Sequence, residues 1–554
     1  MRFLAGVSLF VLLAGAMSAQ TVLYGPSPHR GFPNGHVGPE TIVRDSGGNL
    51  YVIYRHQIST VGWRVAIARS TNQGSSWNMT WQSGFDTYVS GSVGNIVPCM
   101  AIDRNDNLHC AWWHRPGTAY TTHYNRYEAA TQSWGTEQTI STSSATDYPL
   151  LTVDNNDYVW LMYYGPSGHN GVLARSNLPF AADLKFSTYA PTFTGGSASS
   201  NADVVIDALG RLHVSYYTTS PVSVSHKWID PCAATPTWSA ATVLSQHYGH
   251  ASRAEYASSM AADNAGNVYV IYPVDSQYPT SNGTFDTQFF VRKWDNATVT
   301  WGNPVLVHSV PYAVWGANKN PAASYANDHI ISAACDETSG EFYFAYRDFS
   351  SGDLTVGRWR GIDTEAPTVF ARVMPVAPPG PPDYFLYPHF RGSLWPRTNR
   401  ASWGLDLIYS VGDPTASPPS YTEYFEHCPL ASIWSAGAPK IGTTYPLDLS
   451  AVEEGGQAYV AAVSVTPLSP MIRVDRRYVP IVPDAVAVIC ATNQLPAVFV
   501  HFHGVLSKGG TGQAQLVIPN LAALVNLPLN ACFLTYDPSG IRAISNPWGF
   551  VIAK

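Results

Sequence analysis

Residues 260–272 read MAADNAGNVYVIY, and the fold follows from this stretch. A short apolar run ends at Asp263, a turn of Asn264, Ala265, Gly266 and Asn267 follows, and a second apolar run carries Tyr272 nine residues after the aspartate. The aspartate can accept backbone N–H groups of its own turn, and Gly or Asn supplies the positive φ the turn needs. The pattern returns as IVRDSGGNLYVIYRH, MAIDRNDNLHCAWWH, LTVDNNDYVWLMYYG, VVIDALGRLHVSYYT and AACDETSGEFYFAYR, on Asp45, Asp103, Asp154, Asp207 and Asp336. The aromatic recurs at Tyr54, Trp112, Tyr163 and Tyr216, and one place later at Tyr346. A seventh segment, WGLDLIYSVGD, keeps the second run and Tyr409 without the hairpin aspartate.

The second runs are apolar on both faces, as in Leu50–Tyr54, which suits strands sandwiched between neighbours. The aspartates lie 58, 51, 53, 56 and 73 residues apart, longer than a hairpin and right for four strands. Four-stranded sheets repeated radially make a β-propeller. The expectation is therefore an all-β chain with a seven-bladed β-propeller over residues 20–428. Six blades are the alternative, because the seventh segment is degenerate and PVAPPGPP (375–382) interrupts it. Residues 429–554 change character, with strand-like runs QAYVAAVSV, DAVAVICAT and AVFVHFHGV between turns KGGTG and DPSG. An antiparallel β-sandwich is expected there, serving attachment, sorting or an accessory role. His501 and His503 are read as one face of a strand, and as solvated residues rather than a metal site.

Composition agrees. Of 554 residues only 12% are charged and 13% aromatic, with 44 Gly and 41 Pro, which fits short strands and turns. The net charge of −7 is spread along the chain with no Lys/Arg stripe, so nucleic acid is not an expected partner. No phosphate loop, redox motif, GxSxG elbow, CxxC pair or HExxH occurs, which sets aside kinase, dehydrogenase, esterase and zincin chemistry. No cofactor is required; a structural Ca2+ could brace a loop, although no carboxylates have EF-hand spacing.

Residues 1–19 have the form of a secretion signal: Arg2, an apolar Phe3–Ala16, then small residues to Ala19. The mature protein is expected to be secreted or at the cell surface, without a membrane span, and monomeric. Export permits disulfides. Cys99 and Cys110 flank one hairpin, Cys490 and Cys532 share the last domain, and burial as small apolar side chains is the competing reading for Cys99, Cys110 and Cys335.

The stretch STNQGSSW (70–77) falls after the first hairpin, between the third and fourth strands of its blade. Echoes end at Trp134, Trp238 and Trp301, and these tryptophans are expected to pack between blades. STNQGSSW resembles the Asp-box of sialidase-like propellers, Ser-x-Asp-x-Gly-x-Thr-Trp, with Asn72 in place of the aspartate and Ser76 in place of the threonine. In that family the motif is structural and lies away from the active face. The resemblance covers residues 21–428.

If the aspartate hairpins occupy one rim, the opposite rim receives the loops after each second strand and before each first strand. Those loops carry Arg55, His56, His114, Arg115, His169, Arg347 and Asp348, and then Tyr148, His250, Arg253, Glu255, Tyr256 and Arg391. A chain this poor in charge gathers its Arg, His, Asp and Tyr at one expected funnel. Arginine matches carboxylates with two prongs, so the expected partner is an acidic polysaccharide or glycan.

The layout LHCAWWH, Tyr148-Pro149, AYRDFSSGDL is similar to seven-bladed ulvan-lyase-like propellers. That resemblance implies β-elimination next to a uronate, with His114 as the leading base or acid and Tyr148, His169 and Tyr256 as its catalytic partners. Arg253 and Arg347 would clamp the carboxylate, with Arg55, His56, Arg115, His250, Glu255, Asp348 and Arg391 binding substrate around them. The chemistry requires a cation on the carboxylate, a base for the acidified C–H and an acid for the leaving oxygen. A sialidase-type hydrolase, with Tyr256 and Glu255 as the nucleophile pair, is the first alternative; a non-catalytic glycan- or protein-binding propeller is the second.

Overall fold

The computed structural model describes residues 21–27, 41–58, 62–84, 98–114, 120–143, 149–164, 171–179, 184–189, 202–219, 222–246, 258–275, 287–310, 331–336, 340–348, 354–373, 389–392, 404–413, 420–466, 471–474 and 477–554. They form a seven-bladed propeller followed by a second β-module. The innermost strands are Ile42–Arg44, Cys99–Ile102, Leu150–Val153, Asp203–Ile206, Ser259–Ala262, Ile331–Cys335 and His389–Gly392. Each touches the next, and the last touches the first, so the ring closes.

Blades 1 to 6 take their strands in chain order. Blade 7 does not: its outermost strand is Thr21–Ser27, which pairs antiparallel with Ser420–Cys428, placing Thr21 opposite Phe425. The first described strand therefore completes the last blade.

The repeated aspartates are the organising element of one rim. Asp263 accepts the N–H groups of Ala265 and Asn267 at 2.9 and 2.8 Å on one oxygen, and the Tyr269 hydroxyl at 3.0 Å on the other. Asp103 and Asp207 repeat this with His109 and His213 in the tyrosine's place, and Asp154 does so with the Trp160 indole N–H at 2.8 Å. In blades 1 to 5 the donor stands six residues after the aspartate; in blade 6 that place is Phe342, and Tyr343 donates to Glu341 instead. The residue three after it adopts positive φ: Gly48, Asp106, Asp157, Gly210 and Gly266. Where that residue is an aspartate it also receives the neighbouring blade: Ser46 donates its N–H to Asp106, and Arg104 pairs with Asp157.

The tryptophans that end the later turns fill the seams between blades. Trp77 meets Phe425 of blade 7 edge-on at 5.2 Å, and Trp134 stacks on Trp81 of blade 1 at 4.8 Å. Trp301 donates its indole N–H to His226 of blade 4 at 3.2 Å. Gly74 is required in the first of these turns. Its φ is +83°, and a Cβ there would lie 1.9 Å from the Phe425 ring.

None of the seven cysteines is in a disulfide. Register explains why Cys99 and Cys110 stay apart. Cys99 lies opposite Ala111 and Cys110 opposite Met100. This offset of one residue sends the two thiols to opposite faces, into separate cores with blades 3 and 1.

The propeller's last strand ends at Cys428, and the second module begins with Leu430–Trp434. Its nine strands curl so that the two ends of the sheet, Phe499–Val500 and His503–Val505, are separated in the chain by Phe502 and His501 alone. The pairing is antiparallel except between Leu430–Trp434 and Gly540–Ser545, which run parallel. DAVAVICAT is not a strand: Ala485–Ala491 is an α-helix, capped by Asp484, which accepts the Ala487 N–H at 2.9 Å. The cap and three alanines outweigh the β-branched residues between them. AVFVHFHGV is likewise broken, because His501 takes φ +54° and His503 turns its Nε2 to the Cys490 carbonyl.

The module is part of the propeller's body. Strand Arg477–Val479 extends blade 6 outward by pairing with Thr368–Val373, and one continuous core runs from Phe370 and Leu407 to Ile433 and Phe533. Buried Arg358 of blade 6 donates to the Ser545 carbonyl at 3.0 Å.

A polar clamp joins blades 1 and 7 to the module. Arg44 grips Asp406 with two N–H groups at 3.0 and 2.5 Å, with both side chains buried. His427 bridges Asp406 and Glu453 of the module, at 2.7 Å each. Burial alone would lower the His427 pKa, but Glu453 and Asp406 outweigh it and raise it to about 9. Burial likewise opposes the Asp406 anion, yet Arg44 and His427 hold its pKa below the ordinary carboxylate value. His427 therefore contributes stability in full below its unfolded value of 6.5, and that stability drains away as pH rises to about 9. Asp406 contributes above its unfolded value of 3.8 and loses that contribution in acid. The denaturation midpoint is expected to fall between pH 6.5 and 9, and His427→Gln should flatten that slope. An unchanged slope in the variant would remove His427 as its cause.

Candidate functional site

In blades 1 to 6 the second strand leaves the aspartate hairpin and ends on the opposite rim. In blade 1 that strand is Leu50–Gln57, and its turn is closed by the Ile58 N–H on the Gly62 carbonyl at 3.0 Å. Alternation separates its two basic residues. Arg55 is buried on the blade 2 side with Ile53 and Val65, its guanidinium 5.8 Å from the Trp63 ring. His56 lies on the blade 7 side with Tyr54, half-buried and opposite Arg64. Burial, then the Arg64 charge, lowers the His56 pKa. The lowered pKa favours the uncharged form of an imidazole that stands beside a guanidinium, a form that can accept a proton.

In blade 2, His114 is the last residue of strand Leu108–His114, at this rim; its side chain lies outside the described residues. In blade 6, Arg347 likewise ends strand Phe342–Arg347 with its side chain outside them. Asp348 follows, buried, with one oxygen 3.4 Å from His308 Nε2 on the outer strand of blade 5. The buried Tyr346 phenol beside them has its pKa raised, by burial first and then by Asp348. Arg391 is not in a loop. The innermost strand of blade 7 begins at His389, which places Arg391 opposite Asp406, beside the hairpin end. Arg115, Tyr148, His169, His250, Arg253, Glu255 and Tyr256 lie outside the described residues.

Of the residues expected at the site, Asp348 is thus in contact with a second titratable group, while Arg55 and His56 enter different seams. His308 was not foreseen, since an outer strand gives no reason to look there.

Asp203 was also missed. It opens the innermost strand of blade 4 at this rim, and its carboxylate accepts the N–H groups of Val204 at 2.8 Å and Met260 at 2.6 Å and the Ser259 hydroxyl at 3.4 Å. Nearby, Ser258 donates to Ser215 at 2.7 Å. Burial pushes the Asp203 carboxyl up to about 7, against those hydrogen bonds. One signal was available: four residues before the hairpin aspartate, other blades carry Thr41, Cys99, Leu150 and Ser259, and only this one carries an acid. Among the described residues no group of three or more His, Cys, Asp or Glu could hold a metal ion, and no helix is long and apolar enough to cross a membrane.

No family model and no curated protein matches the chain. Solved structures do. A polysaccharide lyase of family PL25, an ulvan lyase bound to a glucuronate–sulfated rhamnose chain, is similar at 11% identity over 74% of this chain and 96% of its own, with a TM-score of 0.46. The polysaccharide lyase Uly1 is similar at 12% identity over 73% and 92%, with a TM-score of 0.42. A mutant of the NanB sialidase from Streptococcus pneumoniae is similar at 11% identity over 74% and 70%, with a TM-score of 0.37.

Proposed function

We propose that this chain is a carbohydrate-active propeller that cleaves an acidic polysaccharide by β-elimination next to a uronate, on the rim opposite the aspartate hairpins. The observation that carries the reading is the ending of the second strands in blades 1, 2 and 6. They bring Arg55-His56, His114 and Arg347-Asp348 to that one rim of a chain with few charges. Elimination uses these groups directly. An arginine neutralises the uronate carboxylate, which acidifies the neighbouring C–H; a neutral imidazole removes the proton; a second acid protonates the leaving oxygen. His114 is assigned the base or acid role, with Tyr148, His169 and Tyr256 beside it and Arg253 and Arg347 on the carboxylate. The low pKa of His56 supports an uncharged histidine being available at neutral pH on this rim.

Elimination leaves a conjugated double bond, so absorbance near ~235 nm should rise when the mature protein meets uronate polysaccharides. His114→Ala should lower that rate by about 10²–10⁴-fold, the range for loss of a positioned acid or base. New reducing ends or free sialic acid without the absorbance would replace this reading with hydrolysis. Binding without turnover would replace it with a recognition propeller.

A further inference from the structure

The second module carries a surface unlike the rim. Strands Leu430–Trp434, Thr444–Ser450 and Thr511–Val517 lie side by side. Their inward residues, among them Ile433, Leu447, Leu449, Ala514 and Leu516, are core. Their outward residues form a row in register: Trp434 opposite Asp448, and Asp448 opposite Gln513. Cross-strand neighbours share a face. At about 4.8 Å between strands the row is about 10 Å long. Trp434, the last residue of its strand, stands at one end of this row and is 38% exposed. No aromatic ring or cation among the described residues stacks on it. The polar groups beside it are already ordered: Gln513 donates to Asp448 at 2.9 Å, and Gln515 to the Gln513 carbonyl at 3.3 Å.

We propose that this face binds neutral pyranose chains. An indole offers an electron-rich plane to the C–H face of a sugar ring. A carboxylate accepts two hydroxyl protons, and amides both donate and accept, which matches hydroxyls that do both. Charge chooses the ligand class. The three strands contain no Lys or Arg and one acid, Asp448. An acidic glycan would meet repulsion here, in contrast to the Arg- and His-bearing rim. The surface suits anchoring to a neutral polysaccharide while the rim acts elsewhere. The residues of this face are separate from those of the rim, and so is the binding it is read by.

The full mature chain is to be tested for retention by insoluble cellulose, xylan, mannan and β-1,3-glucan, with polygalacturonate as the acidic comparison. Retention by at least one neutral polymer is expected. Trp434→Ala should weaken it by about tenfold or more, as for an aromatic anchor, and Trp434→Phe should restore most of it. Asp448→Asn should weaken it several-fold. Trp434→Ala should leave the melting temperature and any depolymerisation of the acidic polymer unchanged. Retention by no neutral polymer, or equal retention of a folded Trp434→Ala, overturns the proposal. Failure of acidic depolymerisation in the wild type overturns only the rim reading.

Discussion

Replacing Asp207 by alanine is expected to cost about 3–5 kcal/mol of stability, the range for stranding a buried charge. Its carboxylate accepts four donors: the N–H groups of Leu209 and Arg211 at 2.9 Å each, Arg211 Nε at 2.6 Å and His213 Nε2 at 3.1 Å. Arg211 and His213 are both buried, and the Arg211 guanidinium lies 4.5 Å over the Trp294 ring of the next blade. Burial opposes the Asp207 anion, but the His213 hydrogen bond and the Arg211 charge hold its pKa below the ordinary value, so the ion is present at neutral pH. Alanine would leave a cation, an imidazole N–H and two turn N–H groups without their acceptor. Asp207→Asn keeps an acceptor for the backbone and should fall between alanine and wild type. Guanidinium unfolding at pH 7 measures both. A loss under about 1 kcal/mol for alanine would mean that the turn re-forms without its aspartate.

A second large effect is expected at the joint that closes the ring. Arg44→Ala should cost about 3 kcal/mol, the lower end of the range for breaking a buried ion pair, because Asp406 would lose its guanidinium and keep only His427 as a cationic partner. The loss reaches further than the pair. Arg44 also donates to the Gly48 carbonyl of the first hairpin and to Gln73 in the first tryptophan turn, so blades 1 and 7 and the turn share one side chain. The double variant Arg44→Met/Asp406→Leu should recover part of the loss, since it removes the half-compensated carboxylate and fills the space, while His427 keeps Glu453. Thermal unfolding of the wild type and the two variants distinguishes the cases. If the double variant is no more stable than Arg44→Ala, the damage lies in lost packing and not in the carboxylate's missing guanidinium.

The aspartates at these two joints differ in how visible they were. Asp207 belongs to a period repeated six times, and its local donors two, four and six residues ahead depend only on short-range geometry. Asp406 is separated from Arg44 by most of the chain, and no local spacing marks them as partners. The candidate site divides in the same way. The endings of the second strands in Arg55-His56, His114 and Arg347-Asp348 follow from the hairpin period. The opposite facing of Arg55 and His56 follows from strand alternation, once the register is known. His308 became visible only through its contact with the neighbouring blade, and Asp203, though the one acid at its place in the repeat, shows its bonds to the next blade only in the structure.

The second module shows where a local reading misleads. DAVAVICAT has the apolar content of a strand, yet Asp484 caps it as a helix, because the cap supplies an acceptor that the first helical turn lacks. Cys99 and Cys110 flank one hairpin in the sequence, and a register offset of one residue puts a sheet between their thiols.

The repeat by itself determined the all-β class, the blade unit, the turn chemistry of its aspartates and the placing of tryptophans between blades, because each depends on residues within about one repeat of one another. Only the tertiary structure decided that the first strand completes the last blade, that Arg44 closes the ring on Asp406, that the second module shares the propeller's core, and that Trp434 stands in one exposed row with Asp448 and Gln513. Those arrangements join residues far apart in the chain, and their energies come from burial and from buried charge, which exist only after the ring has closed.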